Sequence, residues 1–243
     1  SMNLINLLKI NIKSLINKFG FSISKFDLTN PDYRFNKYLK LKSINCVLDV
    51  GAGSGQYAKS LRQIGYKNKI ISFEPVSEIY EKLKKESKKD IHWETHNIGL
   101  GNDSFETEIN ISKNFVSSSI LNMNKEHLKF EPDSKYIDKQ IIQVEGLSEF
   151  IINNKLNFEN YFLKIDAQGY EEKILEGVKD FGKIEGIQVE MSFKELYEDQ
   201  ILFEDLYKKI KDKGYELWDF RRGFTDAKNG KLLQLDGIFF KLH

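Results

Sequence analysis

Of cysteine, proline and arginine this 243-residue chain has very little: one Cys, three Pro and four Arg. The lone Cys46 excludes an internal disulfide, and its place in an apolar run reads as a buried thiol in a reducing, cytoplasmic setting. So few prolines, with 40% hydrophobic residues, exclude a disordered or fibrous chain and leave material for a full core. Four arginines (34, 62, 221 and 222) are a poor supply for planar, bidentate phosphate reading. Net charge is +1, so no global field draws nucleic acid, which is not expected as a partner. Long apolar runs are missing too. The stretch Leu4–Phe19 is broken by asparagines and by Lys9, Lys13 and Lys18, and it lacks a small-residue cleavage site, so neither a membrane span nor a signal peptide is expected. Ser1 ahead of Met2 reads as a tag-cleavage remnant.

What is present begins with an amphipathic, basic segment over residues 3–18. Leu4, Leu7, Leu8, Ile12, Leu15 and Ile16 fall at helical spacing between lysines and asparagines. Residues 3–30 are set apart as this helix and its lead-in. Two readings stand: a helix docked on the domain or on a second copy in a homodimer, or a peripheral contact with an anionic membrane surface. From residue 44 strands and helices alternate. Apolar runs at Ile44–Val50, Lys69–Glu74, Tyr161–Asp166, Gly186–Met191, Tyr215–Phe220 and Leu235–Phe240 predict strands, with a weaker one at His92–Asn97. Helical patterns lie near 56–65, 77–88, 170–178 and 200–213. Such alternation predicts βαβ units and a doubly wound, mostly parallel sheet in one domain over 31–243. Residues 101–146 break the pattern. Apart from a short antiparallel strand at Thr107–Ile111, they read as an irregular, substrate-facing insertion.

The strongest local signal is Val47-Leu48-Asp49-Val50-Gly51-Ala52-Gly53-Ser54-Gly55-Gln56, a buried strand feeding a glycine turn that opens a helix. Glycines there let a ligand approach the backbone, and ligands of open α/β sheets bind at the carboxyl ends of the strands. Glu74, about twenty residues on at the end of the next strand, is placed to accept both hydroxyls of a ribose. A dinucleotide fingerprint would need a third glycine where Gln56 stands. An acid at Asp49 suits an ammonium group better than a pyrophosphate. The balance favours S-adenosylmethionine, with Asp49, Gly51, Gly53, Gly55, Gln56 and Glu74 as its contacts. A nicotinamide-dependent oxidoreductase and a catalytically silent nucleotide-binding module are the alternatives.

At these residues the chain resembles the FkbM family of S-adenosylmethionine-dependent methyltransferases. The resemblance continues through Phe73-Glu74-Pro75, Asn97-Ile98-Gly99-Leu100-Gly101, Ser117-Ser118-Ser119, Leu163-Lys164-Ile165-Asp166-Ala167-Gln168-Gly169-Tyr170-Glu171, Val189-Glu190, Leu196-Tyr197-Glu198 and Leu233-Gln234-Leu235-Asp236-Gly237. It spans roughly residues 30–241. Membership implies the Rossmann-like class I methyltransferase fold, a seven-stranded sheet whose last strand is antiparallel, and methyl transfer to an oxygen. It implies acceptors among the hydroxyls of sugars, glycans or secondary metabolites, and puts Asn97 near the adenine.

Three side chains are candidates for the chemistry. Asp166 ends its strand where the methyl group is expected, either orienting or deprotonating an acceptor hydroxyl or capping the helix that begins near Gly169. Glu190 ends the next strand beside it, so the two carboxylates would push their pKa values apart or share a divalent cation; no third ligand completes a metal site. His127 lies in the insertion, read either as a mobile base with an ordinary pKa that completes the site on closure or as a solvated surface histidine. Arg221-Arg222 would grip an acceptor phosphate or form a solvated turn.

Overall fold

A computed structural model of the chain describes residues 12–16, 18, 19, 25 and 27–242. Most of the helix expected over 3–18 lies outside the described residues; residues 12–16 are helical, with Ile12 and Leu15 exposed. Helix α1 (Pro31–Leu41) begins at Asn30, whose side chain accepts hydrogen bonds from the Asp32 and Tyr33 amides, with Pro31 in the first turn. Its apolar face buries Phe35 and Leu39 on the sheet, where Phe35 meets Phe162 edge-on at 5.3 Å.

The seven expected strands form one sheet. They are β1 (Cys46–Val50), β2 (Lys69–Phe73), β3 (Trp93–His96), β7 (Tyr161–Ile165), β8 (Ile184–Ser192), β9 (Tyr215–Arg222) and β10 (Gln234–Lys241). Their order is β3-β2-β1-β7-β8-β10-β9, all parallel except β10, which runs antiparallel to both neighbours. Helices α2 (Gln56–Gln63), α3 (Ser77–Ser87), α5 (Leu147–Asn153), α6 (Glu171–Glu176) and α7 (Phe203–Asp212) join the strands. Two cores result, one on each face. Leu48, Val50, Leu163 and Phe239 belong to one; Val47, Ala58, Leu61, Phe162 and Phe240 belong to the other. A central strand buried on both faces must be apolar throughout, which is why β1 and β7 stood out in the sequence. Cys46 is fully buried, and burial pushes its thiol up to about 12.

Residues 99–146 correct the expectation of an irregular insertion. They build a second sheet, β4-β6-β5, from β4 (Gly99–Gly101), β5 (Phe105–Ser112) and β6 (Tyr136–Gly146). Its inner face carries Ile109, Ile111, Ile142 and Val144, which pack with Val76 and Ile79 from the start of α3. The outer face stays in water, so polar residues dominate β6 and hide its alternation. The loop after β5 leads through the short helix α4 (Lys125–Phe130) back to β6.

The chain moves outward from β1 through β2 and β3, then restarts on the other side of β1 with β7. This reversal makes the crevice between the ends of β1 and β7 the switch point where ligands of such sheets bind.

Candidate active site

A cavity of about 630 Å³ opens at that switch point, within the range of small-molecule and cofactor sites. One wall is the glycine loop. Beyond the end of β1 the amides of Gly51 and Ala52 both donate to the Phe73 carbonyl, at 3.1 and 3.0 Å, which turns the chain across the top of β2. Gly51 has a φ of +70°, and a Cβ on it would lie 1.8 Å from the backbone oxygen of Asp166, so only glycine lets β1 and β7 end side by side. Glu74 stands opposite. Its Oε2 accepts from the Gly53 amide at 2.9 Å and its Oε1 from the Val76 amide at 2.9 Å. These contacts fix the carboxyl, and each oxygen keeps a lone pair for a ligand. Burial pushes Glu74 up to about 7 against the pull of those two amides. Val76, Ile79, Ile98 and Leu100 add an apolar wall beside it.

The far end is built from side chains on neighbouring strands. Lys164, buried within β7, donates to the carbonyls of Val50 and Gly51 and lies 3.3 Å from Asp49 and 3.6 Å from Asp166. Burial works to lower its pKa, but Asp49, Asp166 and Asp236 hold it above its ordinary value. Tyr57 donates to Gln188, and Gln188 donates to Asp236, at 2.9 Å each. Asp166 presents a side chain 40% exposed to the cavity, with Oδ1 receiving the Gln168 amide at 2.8 Å. The same Gln168 nitrogen reaches Glu190 at 3.3 Å, and Gln234 donates to that carboxylate at 2.8 Å. Burial, and then the charges of Asp166, Glu171 and Asp236, push Glu190 well above the usual carboxylate range.

Gly51, Gly53, Gln56, Glu74 and Asp166 thus line one cavity. Other expected contacts do not reach it. Asp49 is fully buried, its Oδ2 accepting from Ser72 at 3.0 Å and its Oδ1 facing the Lys164 ammonium, so it braces the sheet beneath the loop and does not line the cavity. Gly55, with φ +93°, makes room for the Trp93 ring, which a Cβ would meet at 2.5 Å. Asn97 donates to the carbonyls of Glu74 and Pro75, tying the end of β2 in place, while its neighbours Ile98 and Gly99 line the cavity.

Neither expectation for His127 holds. It is 3% exposed in α4, packed between Tyr197 and Phe224, with no partner for Nδ1, and burial pushes it down to about 4. Its segment is pinned where the Asn124 amide donates to Leu196 and the Glu198 amide donates to Asn122. Asp166 is not a helix cap, since Glu171 accepts the Ala167 and Gly169 amides instead, at 3.0 and 3.1 Å. Between Asp166 and Glu190, where a shared cation would sit, lies the Gln168 amide nitrogen. Arg221 donates to Asp32 at 2.8 Å and covers Phe35, which anchors α1, and neither Arg221 nor Arg222 lines the cavity.

The Methyltransferase FkbM domain model matches residues 49–217, more than two thirds of the chain. The chain belongs to the FkbM methyltransferase family. It is therefore an S-adenosylmethionine-dependent methyltransferase, and nothing favours the oxidoreductase alternative. No curated protein matches it. It is similar in structure to an rRNA methylase from Streptococcus thermophilus, at 8% identity and a TM-score of 0.46, over 89% of this chain and 99% of that one. A protein from Listeria monocytogenes assigned as an S-adenosylmethionine-dependent methyltransferase gives 7% identity and a TM-score of 0.47, over 87% and 98%. The precorrin-6y C5,15-methyltransferase of Geobacter metallireducens gives 12% and 0.42, over 91% and 94%.

The methyltransferase's cavity fits that cofactor on its own chemistry. Glu74 suits a ribose and the apolar wall suits an adenine. The cations lining the cavity are Lys82 and Lys164, each already engaged by a carboxylate, and no arginine lines it, so it offers little to a pyrophosphate. Lys164, Tyr57, Gln188 and Asp236 are site residues that spacing did not single out. Lys164 carried a signal, as the one charge inside the apolar run YFLKI.

Proposed function

We propose that this methyltransferase acts on a hydroxyl of a sugar, glycan or secondary metabolite, with Asp166 orienting or deprotonating that hydroxyl. The observation that carries the reading is the place of Asp166, beside the glycine loop at the switch point, exposed to the cavity and held at Oδ1 by Gln168. When bound, S-adenosylmethionine supplies a methyl group already activated by its sulfonium, so the protein's task is alignment and proton removal. Glu74 and the loop from Gly51 to Gln56 hold the cofactor end. Asp166 meets the acceptor and takes up its proton as the oxygen becomes nucleophilic. Glu190, whose protonated form is favoured by burial and by the neighbouring carboxylates, serves as the neutral partner that keeps a second negative charge away from that step.

Balanced charge and a cavity without arginine support a small-molecule or glycan acceptor over nucleic acid. The single buried thiol supports a cytoplasmic setting. Among the described residues no helix is long and apolar enough to cross a membrane. The exposed Ile12 and Leu15 support contact of the N-terminal helix with a second copy or a membrane surface.

Asp166→Asn tests the chemistry. Mass-spectrometric screening of hydroxylated acceptors is expected to find turnover in the parent that falls about 100- to 10,000-fold in the variant. Calorimetry with S-adenosylhomocysteine should show unchanged affinity. Undiminished turnover would remove Asp166 from the chemistry.

A further inference from the structure

Gln168 follows Asp166 by two residues and sits in a left-handed conformation, φ +53°, which is uncommon for a residue with a side chain and costs about 1 kcal/mol or more. Four contacts hold it there. Ser119 donates from Oγ to the Gln168 carbonyl at 2.7 Å. The fully buried Tyr197 donates its hydroxyl to Gln168 Oε1 at 2.8 Å, which orients the amide so that Nε2 faces the carboxylates. That nitrogen then donates to Asp166 Oδ1 at 2.8 Å and, more weakly, to Glu190 Oε2 at 3.3 Å. The chain segments that meet here are far apart in sequence: the end of β7, the serine run of the small sheet's loop, and the loop after β8.

Around Asp166 the charges pull in opposite directions. Among the described residues Lys164 on β7 is the one cation paired with Asp166, at 3.6 Å, and it is shared with Asp49 on β1. Asp166 in turn helps push up Glu190 on β8, Asp236 on β10 and Glu171 on α6, favouring their neutral forms. A donor fixed on Asp166 at 2.8 Å favours its charged form, and the same nitrogen, reaching the neutral Glu190 at 3.3 Å, sets the separation of the two groups.

We propose that Gln168 is the residue that positions Asp166 for catalysis, its amide nitrogen aiming the carboxylate into the cavity and holding it apart from Glu190. The inference rests on Asp166 meeting the acceptor hydroxyl. It assigns the serine run and Tyr197 a purpose, which is to fix the one rotamer and backbone conformation in which Gln168 reaches both acids.

The first readout needs no acceptor. In the full chain saturated with S-adenosylhomocysteine, aspartate carboxyl carbons are labelled with ¹³C and titrated by NMR, the Asp166 signal being the one lost in Asp166→Asn. Gln168→Met keeps side-chain length and removes the donor. Its Asp166 midpoint is expected to rise by about one pH unit or more, a tenfold change in proton affinity. The S-adenosylhomocysteine dissociation constant should stay within about threefold, and any acid limb of turnover should move with the midpoint. A residue that only supports the fold would lower stability and leave the midpoint where it was, and that result overturns the proposal. Gln168→Asn, which withdraws the same nitrogen by one methylene, decides by the same criterion if Gln168→Met does not fold. An unmoved midpoint with inactive Asp166→Asn rejects Gln168 alone, whereas a shifted midpoint with fully active Asp166→Asn rejects the role given to Asp166.

Discussion

The two ends of the cavity are made differently. At the cofactor end the backbone does most of the work, with amides turned by glycines and one acid fixed by two N–H groups within a segment of some two dozen residues. At the acceptor end nearly every contact is between side chains on different strands, as in the line from Tyr57 through Gln188 to Asp236 and in the Gln168 bridge. Backbone geometry tolerates few alternatives, so the first end leaves a compact trace in sequence. Side-chain pairs can be rebuilt in many ways, so the second end leaves a scattered trace.

Three substitutions sharpen that contrast. The largest effect is expected from Gly51→Ala, where a methyl group would collide with the Asp166 backbone at a positive φ; chemical denaturation should show a loss of about 3 kcal/mol or more. If Gly51→Ala is tolerated, the claim that backbone approach defines the cofactor end fails. Next is Glu74→Ala. Losing hydrogen bonds from two ribose hydroxyls to an anion, each worth about 1.5–3 kcal/mol, should weaken S-adenosylhomocysteine binding about 100-fold or more by calorimetry, with little change in fold. An affinity within a few-fold of the parent would mean that the acid does not meet the ribose.

His127 gives the smallest effect, and one confined to acid. Its folded pKa lies near 4, below the ordinary 6.5, so the folded state binds fewer protons than the unfolded state between those values. Its contribution to stability therefore falls as pH drops through that window, by about 2 kcal/mol at pH 5. Glu74 and Glu171, pushed up to about 7, act oppositely, since each binds its proton more readily when folded and gains stability as pH falls toward the ordinary carboxylate range. His127→Phe should remove the loss and leave the gain, so urea midpoints measured from pH 7 to 5 should fall less than in the parent or rise. Turnover near neutral pH should persist. Loss of activity with an unchanged acid profile would return His127 to the chemistry.

How much was legible follows from the same contrast. The run Val47–Gln56 showed β1, its turn and the start of α2, because burial on both faces demands apolar residues and the turn demands glycine. Of the small sheet only Thr107–Ile111, within the antiparallel β5, was legible, because β6 has one wet face and its buried Ile142 and Val144 look unremarkable among polar neighbours. Asp49 and Asn97 lie at the expected strand ends, but the first is taken up by Lys164 and Ser72 and the second donates to the carbonyls of Glu74 and Pro75. Which way an acid at a strand end turns depends on partners such as Lys164 and Ser72, more than twenty positions away in sequence. His127 failed for a similar reason: nothing local marks a helix pinned by a loop seventy residues downstream.

By itself, then, the order of residues settled the strand–helix alternation and the glycine turn between β1 and α2, since both are dictated by short-range sterics and by the period of apolar burial. It also settled, through residues 49–217, the family. Tertiary structure alone decided which acids face the cavity and which lie beneath it, that Gln168 stands between Asp166 and Glu190, and that His127 is walled in by aromatic rings. These are matters of strand register and long-range packing, where the energy of a side chain depends on neighbours that the local sequence does not specify.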